Sequence, residues 1–326
     1  MHKVLGTVLL CTWLSLLVPL FLVQTIYPRD LLELHPPPPT KSGDFTYRSR
    51  ASEVRLVFFA TDEHNRRVEK LQRDDFAVID NGWVIRNFRS FTSASLIKLD
   101  VTVLIDSSES VQPRFHQEIT DVLAMISQWP WEPGDNISVL SFSGMDVHAL
   151  CTGNCRYWLT ADRAASLRNG GATPLFDAVI TATNSVTAHR QPDIWPVIIL
   201  FSDGNDTISK ATFHAAIRKV IASEEQIYTV DLGDPRRPSD GTAILRKMAN
   251  DSGGRFLSLS DGPMKILNDV MDDLHSGLLV TYAPPEFSSG FHSIQILPTH
   301  NLSLQFRCRR GYYDHYSGSA RQEDGP

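Results

Sequence analysis

The sequence lacks the short motifs that several common enzyme classes require. No G-x-S-x-G turn, H-E-x-x-H pair or Walker loop occurs, and the stretch GGATP at 170–174 has no lysine to bind phosphate. Basic charge is also scarce, because 31 lysines and arginines stand against 37 aspartates and glutamates, a formal net charge of -6. These absences argue against the enzyme classes that use those motifs and against nucleic acid as a partner.

The N-terminus lacks charge over a long stretch. After Lys3, no charged residue occurs through residue 27, which is long enough for a membrane-spanning helix. Lys3 and an apolar core also describe an export signal, but no clean small-x-small cleavage site follows. We therefore predict an exported chain, membrane-anchored, periplasmic or extracellular, with 1–27 as a signal peptide or anchor. The proline-rich residues 28–43 are predicted to be an extended linker.

Cysteine is rare, with 4 residues in 326. Cys151 and Cys155 enclose TGN, a composition typical of turns. A zinc site would need further cysteines or histidines nearby, whereas the closest candidate, His148, stands alone. In an exported chain we therefore predict a local disulfide between Cys151 and Cys155. Cys308 is then expected to be a buried thiol.

From residue 99 onward, short apolar runs alternate with longer segments of helical period. LDVTVLID at 99–106 and PVIILFSDG at 196–204 are typical strands, and 111–129 has one apolar helical face. Strands that are apolar throughout indicate a parallel sheet covered on both faces. The predicted fold class is therefore α/β, with a doubly wound, mostly parallel, Rossmann-like sheet.

The two flanks of this α/β region contain only short predicted strands. These strands are at 53–59, 76–80, 84–91, 278–283, 291–297 and 302–309. Neither flank alone has enough strands for a stable sandwich, so we predict that both form one small β-sandwich-like domain. The candidate core residues of this domain are Phe58, Phe76, Phe88 and Phe91.

The predicted boundaries follow from this organisation. The α/β domain occupies 98–277 as an insertion, between the two parts of the β domain at 44–97 and 278–313. Residues 314–326 are predicted to be a disordered tail.

Three segments should meet at the carboxyl edge of the parallel sheet, where ligands bind in such folds. The first strand ends in D-x-S-x-S with Asp106, Ser108 and Ser110. Thr173 precedes a predicted helix, and Asp203 ends another strand. Two carboxylates and three hydroxyls suit a hard divalent cation such as Mg²⁺, which keeps several waters beside few protein ligands. We predict an open metal site formed by these five residues.

In order and position, these five residues resemble the metal-ion-dependent adhesion site of von Willebrand factor type A domains. That site uses D-x-S-x-S, a later Thr and a later Asp, and the resemblance covers roughly residues 97–277. It implies Mg²⁺, or Mn²⁺ or Ca²⁺ in its place, with Ser108 and Ser110 as direct ligands. The other three residues would bind directly or through water. It also implies a partner protein whose Asp or Glu completes the coordination.

The flanks resemble a bacterial subgroup of exported proteins with a related A domain, through the stretches RDDFAVIDNG, LLVTYAPP and RCRRGYY. Together, the two resemblances imply a non-enzymatic, exported or membrane-anchored module that binds protein for adhesion or scaffolding.

Three alternatives remain open at this point. The first is a metal-dependent phosphoester hydrolase, although a haloacid dehalogenase would need a second acid at the position of Ser108. The second is a structural envelope domain with an idle metal site. In the third, Asp106, Ser108 and Thr173 only cap helices and Asp203 belongs to a turn.

Three further acidic residues have their own predictions. Asp177, four residues after Thr173, should either hydrogen-bond to a liganding hydroxyl or interact with a helix dipole. Asp206 is predicted to take part in a turn rather than to bind a second cation. Glu109 is predicted to be a solvated side chain rather than a ligand.

Overall fold

A computed structural model describes residues 53–314, except 69, 131, 156–166, 188–193, 238 and 286–289. All of these residues belong to one compact unit, Ala51–Pro326. The predicted anchor, the linker and all but the first residue of the tail lie outside the described residues. Within them, no helix is both long and apolar enough to cross a membrane.

The regular elements follow the alternation of the sequence. The strands are β1 (Val54–Thr61), β2 (Phe76–Asp80), β3 (Trp83–Ile85), β4 (Ser90–Ser93), β5 (Lys98–Asp106), β6 (Asn136–Ser143), β7 (Asp146–Cys151), β8 (Ile194–Ser202), β9 (Gln226–Asp231), β10 (Phe256–Ser258), β11 (Leu278–Tyr282), β12 (Gly290–Pro298), β13 (Gln305–Cys308) and β14 (Gly311–Asp314). The helices are α1 (Phe115–Gln128), α2 (Leu175–Thr187), α3 (Phe213–Ala222), α4 (Asp240–Ser252) and α5 (Pro263–Ser276).

The central sheet has the strand order β10-β9-β8-β5-β6-β7. All its pairings are parallel except that of β7, which is antiparallel to β6 at one edge. The central strands are almost wholly buried because helices cover both faces: α1 and α5 on one, and α2, α3 and α4 on the other. The predicted doubly wound, mostly parallel sheet is confirmed.

Both flanks contribute to two antiparallel sheets, as predicted. Their strand orders are β13-β1-β11-β4 and β14-β12-β2-β3, so each sheet combines strands from both ends of the described chain. Phe58, Phe76 and Phe88 are buried between the sheets, and Phe91 packs against them. The predicted aromatic core is therefore confirmed, and the α/β region is inserted in a sandwich that neither flank could complete alone.

The prediction of one strand at 84–91 is wrong. The chain forms β3 in one sheet and β4 in the other, and Phe88 lies between them. The Phe88 ring stacks on Phe76 with 5.1 Å between centroids, so the chain crosses the core at this point. The sequence pattern also missed β14, whose Gly311 lies so close to His292 that a Cβ would approach the His292 carbonyl oxygen to 2.1 Å.

The sandwich contacts the α/β domain through both apolar and charged side chains. Phe59 of β1 packs on Trp195 of β8, with ring centroids 6.2 Å apart. Arg307 of β13 donates hydrogen bonds to Asp273 of α5 and to the carbonyl oxygen of Gly253. These contacts attach the last helix of the inserted domain to the sandwich.

A buried polar cluster joins the two sheets of the sandwich. Asp80 at the end of β2 accepts hydrogen bonds from the hydroxyls of Tyr282, at 3.0 Å, and Tyr312, at 2.9 Å. Its other carboxylate oxygen lies 3.1 Å from Nδ1 of His292. Asp80, His292 and Tyr282 are fully or almost fully buried. The carboxylate of Asp80 therefore contacts side chains from three other strands, β11, β12 and β14. These strands lie about two hundred positions further along the chain.

Replacement of this carboxylate should be costly. We expect Asp80→Ala to lower the free energy of unfolding by about 3 kcal/mol or more, because it leaves buried polar groups without their partner. Urea unfolding of the full chain measures this loss, with Asp74→Ala, an exposed acid on the same flank, as the control. Equal midpoints for the two variants would contradict the structural role of the cluster.

Candidate metal centre

The pairing of β5 with β8 places the candidate site. From β5 the chain continues to β6 on one side of the sheet, whereas β8 leads to β9 and β10 on the other. The carboxyl ends of β5 and β8 therefore form a topological switch point, where a crevice opens in folds of this kind. Ile105 pairs with Phe201, so Asp106 and Ser202 end neighbouring strands and Asp203 follows directly.

Asp106 is fully buried and is held by two hydrogen bonds. The backbone N–H of Ser108 donates to its Oδ1 at 3.0 Å, and the hydroxyl of Ser202 donates to its Oδ2 at 2.7 Å. Ser202 was missed in the sequence analysis, although it directly precedes Asp203 in the SDG turn. Its contact with Asp106 depends on strand pairing, because 96 positions separate the two residues.

Three hydroxyls come together beside Asp106. The Oγ atoms of Ser108 and Ser110 lie 3.0 Å apart, and the Thr173 hydroxyl donates to Ser108 Oγ at 2.8 Å. Backbone hydrogen bonds align the two loops that carry these hydroxyls: Glu109 N–H donates to the Gly171 carbonyl, and a second bond joins Gly170 N–H to the Ser107 carbonyl.

Asp203 occupies a different position from the other four residues. It is partly exposed, and its carboxylate accepts hydrogen bonds from the backbone N–H and the side-chain amide of Asn205, each at 3.0 Å. The negative charge of Asp203 raises the pKa of Asp106, but no hydrogen bond joins Asp203 to Asp106 or to the three hydroxyls. Four predicted ligands therefore form one connected cluster, and Asp203 lies alongside it.

The cluster has the donor chemistry of a site for a small hard cation. Oxygen ligands at about 2.05 Å from Mg²⁺ in octahedral geometry are about 2.9 Å apart along each edge. The hydroxyl separations of 2.8 and 3.0 Å, which are also ordinary hydrogen-bond lengths, are compatible with that spacing. In the described part of the chain, no three His, Cys, Asp or Glu side chains lie close enough to hold one ion. A metal here would rely on hydroxyl oxygens and few carboxylates.

Burial changes the acidity of Asp106. Removal from water raises its pKa from 3.8 to about 6, and the nearby charge of Asp203 acts in the same direction. The hydrogen bonds from Ser108 and Ser202 oppose this change but do not cancel it. Without a cation, the ionised form of Asp106 is therefore disfavoured at its position beneath the loop.

The structure assigns roles to the three secondary acids. Both carboxylate oxygens of Asp177 accept backbone hydrogen bonds, from Lys210 and Ala211. Of its two predicted alternatives, the structure therefore shows the acid in the first turn of α2 and not a bond to a liganding hydroxyl. Asp206 accepts a hydrogen bond from the Ser209 hydroxyl within its own loop, which confirms the turn role. Glu109 is exposed, as predicted.

A polar pocket lies near this edge, whereas a disulfide lies beside the amino-terminal half of β6. Cys151 and Cys155 are bonded, which agrees with the predicted pairing. Cys308 is a free thiol that is partly rather than fully buried, and loss of solvent raises its pKa to about 12. The pocket has a volume of about 450 Å³ and is lined by residues that include Ser107, Ser141, Ser143, His148 and Arg168.

Residues 100–272, more than half of the chain, match the family described as von Willebrand factor type A domain. The chain belongs to this family. The matched residues run from β5 into α5 and include the Asp106 cluster and Asp203. Among curated proteins, no match to the chain was found.

Several solved structures contain similar domains. Proximal thread matrix protein 1 from the mussel byssus is 20% identical, with 54% of this chain and 48% of that chain covered and a TM-score of 0.44. An aerotolerance-related membrane protein from Bacteroides fragilis is 16% identical, with 54% and 98% covered and a TM-score of 0.41. The vWF domain of the type V pili tip protein Mfa5 from Porphyromonas gingivalis is 14% identical, with 54% and 95% covered and a TM-score of 0.42.

This chain spans about half the length of the mussel protein.

The environment of Asp106 in this von Willebrand factor type A domain predicts a pH effect on stability. Its pKa is higher in the folded than in the unfolded protein, so its stabilising contribution is present below pH 3.8 and is lost as pH rises through about 6. Relative to Asp106→Asn, the metal-free wild type should lose roughly 2–3 kcal/mol between pH 4 and pH 8. Urea unfolding at both pH values checks this, and parallel pH profiles for the two proteins would contradict it.

Proposed function

We propose that this protein is a divalent-cation-dependent protein-binding module for adhesion or scaffolding. The observation that carries the proposal is the convergence of Asp106, Ser108, Ser110 and Thr173 at the switch point, with Asp203 alongside. When bound there, Mg²⁺, Mn²⁺ or Ca²⁺ would supply an open coordination position for a carboxylate from a partner protein. The five residues would hold the ion directly or through water.

The surroundings of the cluster favour an acidic partner. Ser110 is exposed and Asp203 is partly exposed, so the cluster is accessible from solvent rather than enclosed. His148 and Arg168 are exposed beside it and line the adjoining pocket. A basic arginine next to a bound cation complements a surface of a partner that carries Asp or Glu.

The proposed role is binding rather than catalysis. Domains of this family are generally adhesion and interaction modules. In the hydrolase alternative, Asp106 at the end of β5 would be the nucleophile. Asp106 is fully buried, however, and already accepts two hydrogen bonds. Ser108 stands where a phosphohydrolase of the haloacid dehalogenase type would need a second acid. These features support a non-enzymatic module over the hydrolase alternative.

Partner capture should depend on the cation. Immobilised full-length protein should retain a partner from extracts of the native host in Mg²⁺ and release it on addition of a chelator. Asp106→Ala should lose at least ten-fold in partner affinity, about 1.4 kcal/mol, because the cluster loses its buried carboxylate. Asp272→Ala removes an exposed acid on α5 and should behave as wild type. Coupling between two ligands is reciprocal. The purified partner should therefore raise the affinity of the protein for Mg²⁺ by the same factor by which Mg²⁺ raises its affinity for the partner.

Retention by wild type in chelator, or by Asp106→Ala in Mg²⁺, that equals retention by wild type in Mg²⁺ would contradict the proposed mechanism. Capture that is lost equally in Asp272→Ala would point to general surface charge rather than to the metal cluster.

We also propose that the domain acts outside the cytoplasm, attached to a membrane by its N-terminus. The uncharged stretch after Lys3 and the disulfide between Cys151 and Cys155 support this location. In native-host fractions, the protein should sediment with membranes, and thiol labelling without reductant should leave both cysteines unmodified. Recovery of the two cysteines as free thiols in a soluble fraction would contradict this location.

A further inference from the structure

Glu118 is a buried acid on the helix that follows the D-x-S-x-S loop. It lies in the first turn of α1 and is fully buried. Neither of its carboxylate oxygens has a hydrogen-bond partner among the described residues. Buried side-chain oxygens are nearly always hydrogen-bonded in native proteins, so an unpartnered carboxylate needs a water or an ion to account for it.

The position of Glu118 on α1 relates it to the loop that follows β5. Side chains on a helix lean toward its N-terminus, and α1 begins at Phe115, directly after the 3-10 helix Glu109–Arg114. That short helix includes Ser110. Glu118 therefore leans toward the end of α1 that adjoins this short helix, at the positive end of the α1 dipole.

The charges that act on Glu118 are all negative. Loss of solvent raises its pKa well above the ordinary range, and the charges of Asp106, Asp203 and Asp121 act in the same direction. These acids come from the end of β5, the turn after β8 and α1 itself. An ionised carboxylate in this position is unfavourable unless a positive charge compensates it. A cation in the Asp106 cluster would provide that charge.

The arrangement also limits how Glu118 could contact the ion. Because no three acidic, imidazole or thiol side chains of the described residues lie within reach of one ion, Glu118 does not join Asp106 and Asp203 as a direct ligand. A carboxylate just outside the coordination sphere accepts hydrogen bonds from metal-bound water and so orients the ligands.

We propose that Glu118 is a further acidic group of the cation site and holds the ion through a metal-bound water. This inference rests on the proposed function, since it requires a cation at the Asp106 cluster. Glu118 thus adds a third carboxylate to those of Asp106 and Asp203. Because it is enclosed by the fold, it contributes to cation affinity and does not contact the partner protein.

The test compares two identical substitutions at buried glutamates. Glu118→Gln removes the charge beneath the cluster, whereas Glu225→Gln removes one from a glutamate that is equally buried just before β9, at the opposite edge of the sheet. Titration of Mg²⁺ and Mn²⁺ into the full chain by calorimetry should show at least a ten-fold loss of affinity for Glu118→Gln. Glu225→Gln should stay within two-fold of wild type.

A second variant separates cation binding from folding. Glu118→Met has a similar length and removes the unpartnered acid, so its metal-free form should melt no lower than wild type, while its cation affinity should fall as in Glu118→Gln. Wild-type cation affinity in both variants would overturn the inference and leave the proposed function standing. Absence of cation binding by the wild type would overturn the proposed function itself, and the inference with it.

Discussion

The parallel pairing of β5 with β8 is the constraint on which the candidate site depends. It brings together the ends of two strands that are about a hundred positions apart in the chain, and it does so where the order of the sheet reverses. Asp106 becomes a buried acceptor for Ser202, and the loop after β5 comes within hydrogen-bonding distance of Thr173. The hydroxyl cluster follows from this register, since a shift by one residue would turn Asp106 to the opposite face.

Uncompensated negative charge is the physical cost of this arrangement. Asp106 and Glu118 are both fully buried, and the pKa of each is raised first by loss of solvent and then by neighbouring acids. The metal-free fold is therefore strained electrostatically at the same edge where its hydroxyls converge. A divalent cation would relieve that strain, so cation binding and stability should be closely linked in this protein.

The β sandwich holds together the two ends of the inserted α/β domain. Closing a loop of about two hundred residues costs little more entropy than closing a shorter one, because the cost grows only logarithmically with length. The aromatic core repays that cost, and the cluster of Asp80 with His292 and Tyr282 fixes how the sheets meet. Arg307 then connects the sandwich to the last helix of the inserted domain through Asp273.

The sequence by itself determined the features that are local or periodic. Apolar runs predicted the parallel strands, and D-x-S-x-S marked the loop after β5. Tertiary structure alone decided which side chains meet across the fold. Ser202 binds Asp106 through strand pairing, and Glu118 is buried because α1 packs on the sheet. No local pattern encodes such contacts, because they depend on distances between segments remote in sequence.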